Sequence, residues 1–190
     1  MSEKKFLFLY PIEKIIGFEI ERWGWAEEGG KEKFREKYKN MLNECIDIRY
    51  RKNGFEINYV VFHGSSVSDV IQIQPTDKII EVEIDFETHK TKSLYPNEDF
   101  ILDRLGPIKT LRVAGFHLFD CVERVARRAY ERRIDTLVDE DLTENFGFMI
   151  KDPEFKIDTF PSYNPRKEGD RYFEMFMRVR RGKPWFWQDY

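Results

Sequence analysis

Short runs of β-branched and aromatic residues recur along this chain, separated by longer stretches with helical spacing. Phe6–Tyr10 is a continuous apolar run stopped by Pro11, the mark of a buried strand. Glu56–His63, the alternating segment Lys78–Phe86, Thr110–Phe116 and Asp135–Asp139 read as further strands, with a short strand-like piece at Val70–Ile73. Between them, Lys31–Asn53 carries Phe34, Tyr38, Met41, Leu42, Cys45 and Ile46 at helical spacings, Asn97–Leu105 is helix-like before Gly106-Pro107, and Asp120–Arg133 places Val122, Val125, Ala126, Ala129 and Tyr130 on one face. Ile12–Gly30 shows no clear period. Strands alternating with helices argue for an α/β fold around a mostly parallel sheet, with ligands expected at the carboxyl ends of the strands.

Length and composition bound the rest. The 190 residues suit one core-forming domain, assigned to residues 1–150. Residues 151–190 form an aromatic extension, ending RGKPWFWQDY, expected to pack on the domain or on a partner subunit. Within it Arg171–Arg180 suits a strand or a short helix. Trp185, Phe186 and Trp187 suggest burial against a second copy, so a homo-oligomer is expected. The net charge of −3 supplies no basic field, so neither nucleic acid nor membrane is an expected partner. The basic stretch Arg124–Arg133 reads as a solvated stripe, and Asp139–Glu140–Asp141 as a solvated edge. Two cysteines do not make a disulfide framework, and a reducing cytoplasmic setting is expected. No cofactor or metal is expected: Gly64-Ser65-Ser66 is too short for a phosphate loop, and no Cys/His set has zinc spacing.

Cys121 is the candidate reactive residue. Asp120 stands where an N-cap belongs and Glu123 follows three residues later, so Cys121 is expected to be the first helical residue. The positive end of a helix lowers a thiol pKa, and its N–H groups can hold an oxyanion. A small buried apolar residue is the alternative reading. The surrounding motif resembles the isochorismatase-like (cysteine hydrolase) superfamily: Gly115, then Cys121-Val122 six residues later, then Ala126 and Ala129 at five and eight, and Asp141 at twenty. The resemblance implies a three-layer sandwich and a Cys–Asp–Lys triad in which the cysteine attacks a small amide-like carbon.

Cys121 matches the nucleophile. Tyr10-Pro11 stands where the family Asp is expected, with Glu13 the nearest carboxylate. Counting to the family Lys reaches Glu87 or His89, with Lys90 and Lys92 nearby. His117 or Glu13 is the expected substitute base. Leu118, Phe119, Asp120, His63 and Lys90 are the expected substrate-binding residues. The leading expectation is a degenerate relative that binds a small ligand or serves as an assembly subunit; the alternative is a cysteine hydrolase of small C–N substrates acting through Cys121.

Overall fold

The computed structural model describes residues 3–25, 28–144, 155–160 and 178–188. Its centre is a five-stranded sheet of β1 (Lys4–Leu9), β2 (Glu56–Val61), β3 (Lys78–Glu81), β4 (Thr110–Gly115) and β5 (Asp135–Thr143). The order is β3-β2-β1-β4-β5 and every pairing is parallel. Helices α1 (Glu13–Gly24) and α2 (Gly30–Cys45) link β1 to β2; α3 (Phe86–Lys92) and α4 (Glu98–Arg104) link β3 to β4; α5 (Glu123–Glu131) links β4 to β5. The crossovers leave β1 and β4 in opposite directions, and right-handed connections then put α1 and α2 on one face and α5 on the other. The result is a three-layer α/β sandwich. Phe6, Leu7, Phe8 and Leu9 are all buried because β1 is central and covered on both faces.

Several elements depart from the sequence reading for identifiable reasons. Ile12–Gly30 holds α1, whose inner face is Ile15, Ile16 and Ile20. Phe18 and Trp25 obscure its period because they are 62% and 75% exposed. The expected strand over Lys78–Phe86 is shorter, since Asp85 caps α3 through the Thr88 backbone N–H at 2.8 Å and turns Phe86 into a helix. Val70–Ile73 forms no strand. Within 171–180 only 178–180 are described, as a helical turn, and the expected domain boundary near residue 150 lies outside the described residues.

The basic stripe 124–133 stays at the surface, as the sequence reading has it, but is paired across helices, whereas the acidic stretch 139–141 is not solvated. Arg124 and Arg128 of α5, and Arg132 at its C-cap, pair with Glu98, Asp99 and Asp103 of α4, linking the two helices. Asp139, Glu140 and Asp141 are buried. The ladder slips between Val113–Val138 and Gly115–Thr143, so Asp139–Leu142 bulges out of register. Arg49 pairs with Asp139 at 3.3 Å and Asp141 at 2.7 Å, Tyr50 donates its hydroxyl to Asp139, and Arg180 meets Glu140 at 2.9 Å. Arg49 also donates to the carbonyls of Lys156 and Ile157. The C-terminal aromatics join this assembly: Val138 N–H donates to the Trp185 carbonyl at 2.8 Å, and Trp185 and Phe186 are buried within the same chain. Their burial needs no second copy.

Gly115 permits a close backbone approach between β4 and β1. Its φ is +114°, and a Cβ there would overlap the Leu9 carbonyl oxygen and stand 2.6 Å from the Leu9 nitrogen. Gly115→Ala is therefore expected to cost at least about 3 kcal/mol, measured by urea unfolding. Arg49→Met should cost about 3–5 kcal/mol at pH 7 by leaving buried carboxylates uncompensated. Burial raises Asp139 above the ordinary carboxylate range. In that variant protonation favours the folded state, so the deficit should shrink as the pH falls and grow as it rises.

Candidate functional site

A cavity of about 500 Å³ opens at the carboxyl ends of β1 and β4, where the strand order reverses direction. This is where an open parallel sheet leaves a crevice between diverging crossovers. Tyr10, Ile15, Phe18, Phe62, Phe86 and Phe116 make its wall mostly aromatic; Cys121, His89, His117, Lys14, Glu87 and Lys90 are its polar and charged lining. Tyr10 follows β1 in a left-handed backbone conformation, φ +58°. Its ring stacks on Phe62 at 4.1 Å. Burial, then the neighbouring Cys121, raises its hydroxyl well above the usual tyrosine value.

Cys121 lies one helical turn from the place the sequence suggests. After β4 the Phe116–His117 peptide is cis, and a π-helical turn, Leu118–Val122, leads into α5. His117 occupies the N-cap position, its carbonyl accepting from Asp120 N–H at 3.2 Å and Val122 N–H at 3.1 Å. Asp120 therefore lies inside the helical turn, where its carboxylate accepts from the Tyr95 hydroxyl at 2.9 Å rather than capping. Glu123 pairs with Lys183 at 2.6 Å, so the expected capping box is absent.

The expected lowering of the Cys121 thiol is reversed. Cys121 is 4% exposed. Burial, then the Asp120 charge, pushes its thiol up to about 12, against a smaller opposite pull from the His117 and Arg124 sides. The expected oxyanion donors are also partly spent: Leu118 N–H donates to Glu144 at 2.6 Å, and Asp120 N–H is taken by His117.

His89 is the side chain that meets the thiol, with Nε2 3.9 Å from Sγ. The Leu94 carbonyl, 2.8 Å from Nδ1, can only accept, so Nδ1 donates to it and Nε2 is the ring nitrogen that faces the thiol. Sequence offsets pass through His89 at the place of the family Lys; its role was hidden because the contact depends on α3 folding back over the cavity. Glu144 is a second residue that sequence reasoning missed, since it reaches His117 only across the β5 bulge.

Of the expected residues, the structure brings Cys121, His117 and Lys90 to one cavity. Glu13 instead meets Arg35 at 2.8 Å and Ser68, in a separate cleft with Ser65 and Ser66. His63 is exposed and paired with Glu81 at 2.6 Å. The Leu118 side chain is buried in the core, and Phe119 turns its ring toward Phe186, 5.9 Å away. Among the described residues no group of three or more His, Cys, Asp or Glu is placed to hold a metal ion, and no helix is long and apolar enough to cross a membrane.

His117 Nδ1 lies 3.4 Å from Glu144. The hydrogen bond to Glu144 raises the His117 pKa, with burial opposing. Glu144 is lowered: burial works against ionisation, but His117 and the Leu118 N–H outweigh it. His117 thus adds stability below about pH 6.5 that is lost as pH rises through its raised folded value, while Glu144 adds stability above about pH 4.3 that is lost as pH falls through its depressed one. Glu144→Gln should return the His117 titration midpoint toward about 6.5 in a proton NMR titration.

No family model and no curated protein matches the chain. Among solved structures it is similar to the N-carbamoylsarcosine amidase of Thermoplasma acidophilum, at 17% identity over 94% of this chain and 92% of that one, with a TM-score of 0.49. An isochorismatase family protein is 19% identical over 75% of this chain and 81% of its own, TM-score 0.48. The pyrazinamidase of Pyrococcus horikoshii, solved with zinc, is 14% identical over 79% and 95%, TM-score 0.46.

Proposed function

We propose that the chain is a divergent isochorismatase-like protein whose cavity binds a small planar molecule without attacking it through Cys121. The observation that carries this reading is the state of the reacting end. Cys121 is buried with its thiol pushed up to about 12, and Tyr10 stands beside it, also held protonated by burial. A thiol must ionise to act as a nucleophile, and a base must take its proton. At the place where the resemblance expects a carboxylate base, Tyr10 offers a hydroxyl that holds its own proton. The aromatic walls and the polar groups among them suit a ring-sized ligand, because apolar area supplies affinity and a small polar set supplies orientation.

One contact favours a second reading. Nε2 of His89 faces Sγ at 3.9 Å, and a ring with Nε2 unprotonated would serve as the base of a cysteine hydrolase once a ligand tightens the contact. Benzoate and benzamide separate the two readings. With ligand binding alone, thermal stabilisation by these compounds survives Cys121→Ala within about threefold in Kd, under 1 kcal/mol, and no ammonia is released from benzamide. Ammonia release by the wild type that disappears in Cys121→Ala would establish the hydrolase instead.

A further inference from the structure

We propose that the His117–Glu144 pair is the anion-recognising corner of the cavity, and that the molecule bound there is a planar monoanion such as an aromatic carboxylate. The inference rests on the reading of this cavity as a ligand site. The cationic groups lining the cavity differ in what already neutralises them. Lys14 is 2.9 Å from Glu87 and lies over the Phe86 ring at 5.6 Å, so its charge is matched at the mouth. Lys90 is exposed on α3. His117 differs because Glu144 takes Nδ1 while, among the described residues, Nε2 of this half-exposed ring makes no hydrogen bond. Glu144 is itself steadied by the Leu118 N–H at 2.6 Å, which fixes the pair to the backbone of the turn that bears Cys121.

When protonated, the ring offers at the cavity wall an Nε2–H that no described residue accepts. A carboxylate oxygen satisfies it with a charge-assisted bond, whereas a neutral amide gains only an ordinary one. The groups that act on His117 are Glu144 beyond β5, Glu19 on α1 and Asp120 on its own turn; Lys14, Glu87, Lys90, His89, Tyr10 and Cys121 line the same cavity. Arg22 of α1 acts on Glu144. The acidic groups around the ring favour its cation, and that preference supports the geometric assignment. Carboxylate affinity is thus highest where the ligand is ionised and His117 is protonated, and it falls as pH rises through the His117 midpoint.

The chain has three histidines, so each ring can be followed by NMR in the intact protein. The probes are benzoate and its neutral isostere benzamide, titrated from about pH 5.5 to 8.5, a range in which a carboxylic acid stays ionised. Saturating benzoate should raise the His117 midpoint by about half a unit or more, as linkage requires of an anion that prefers the cation, and benzamide should leave it in place. Glu144→Gln should weaken benzoate by about tenfold, the worth of one charge-assisted hydrogen bond, and spare benzamide. Benzoate that shifts the Phe62 and Phe86 ring resonances while the His117 midpoint stays fixed overturns the anion corner and leaves the cavity reading standing. Failure of both compounds to perturb those rings overturns the cavity reading, and this inference falls with it.

Discussion

The close contact between Gly115 and Leu9 is the constraint on which the site depends. β1 and β4 are neighbours in the middle of the sheet, and their crossovers depart in opposite directions. The two chains must nevertheless end side by side, with Phe116 N–H donating to the Leu9 carbonyl at 3.1 Å. Only a residue without a Cβ fits against Leu9 at that point. From this shared origin Tyr10 leaves one strand and the His117–Cys121 turn leaves the other. The cavity is the space between them, walled by aromatic rings from α1, α3 and the segment after β2.

Burial then decides the chemistry, and its sign depends on the partner. The Cys121 thiol has a nearby carboxylate, Asp120, and is driven toward its neutral form. Asp139 and Asp141 remain inside because Arg49 reaches both, and its remaining donors tie residues 156 and 157 to the same knot. His117 sits between these extremes, open to the cavity and held by Glu144. Burial therefore favours a protonated thiol at Cys121 and demands a compensated ion cluster around Arg49, while the half-exposed His117 is drawn toward its cation by Glu144.

The α/β class and most strands were legible because parallel strands are buried on both faces and read as continuous apolar runs, as in Phe6–Leu9. The Gly115–Cys121 spacing also marked the right turn of chain. What escaped the sequence were features set by distant neighbours. Phe18 and Trp25 hid α1 by pointing outward, and Asp85 ended an extended segment through a cap that looks like any acidic residue. Asp139–Asp141 seemed a solvated edge until Arg49 and Arg180, 90 and 40 residues away, were brought to them. Cys121 looked activated because a helix terminus was counted without the burial that outweighs it. Glu144 and His89 complete the site across long loops, and no local pattern announces such partners.

The central claim is that Cys121 rests as a neutral thiol in a binding cavity. Ultraviolet thiolate absorbance, recorded against pH for the native chain minus Cys121→Ser, tests it most directly, because the subtraction removes the other buried cysteine, Cys45. The account predicts no thiolate from Cys121 below about pH 10, well above the ordinary cysteine value. A thiolate step at or below about 8.5, the free-cysteine value, would contradict it and return Cys121 to the role of nucleophile.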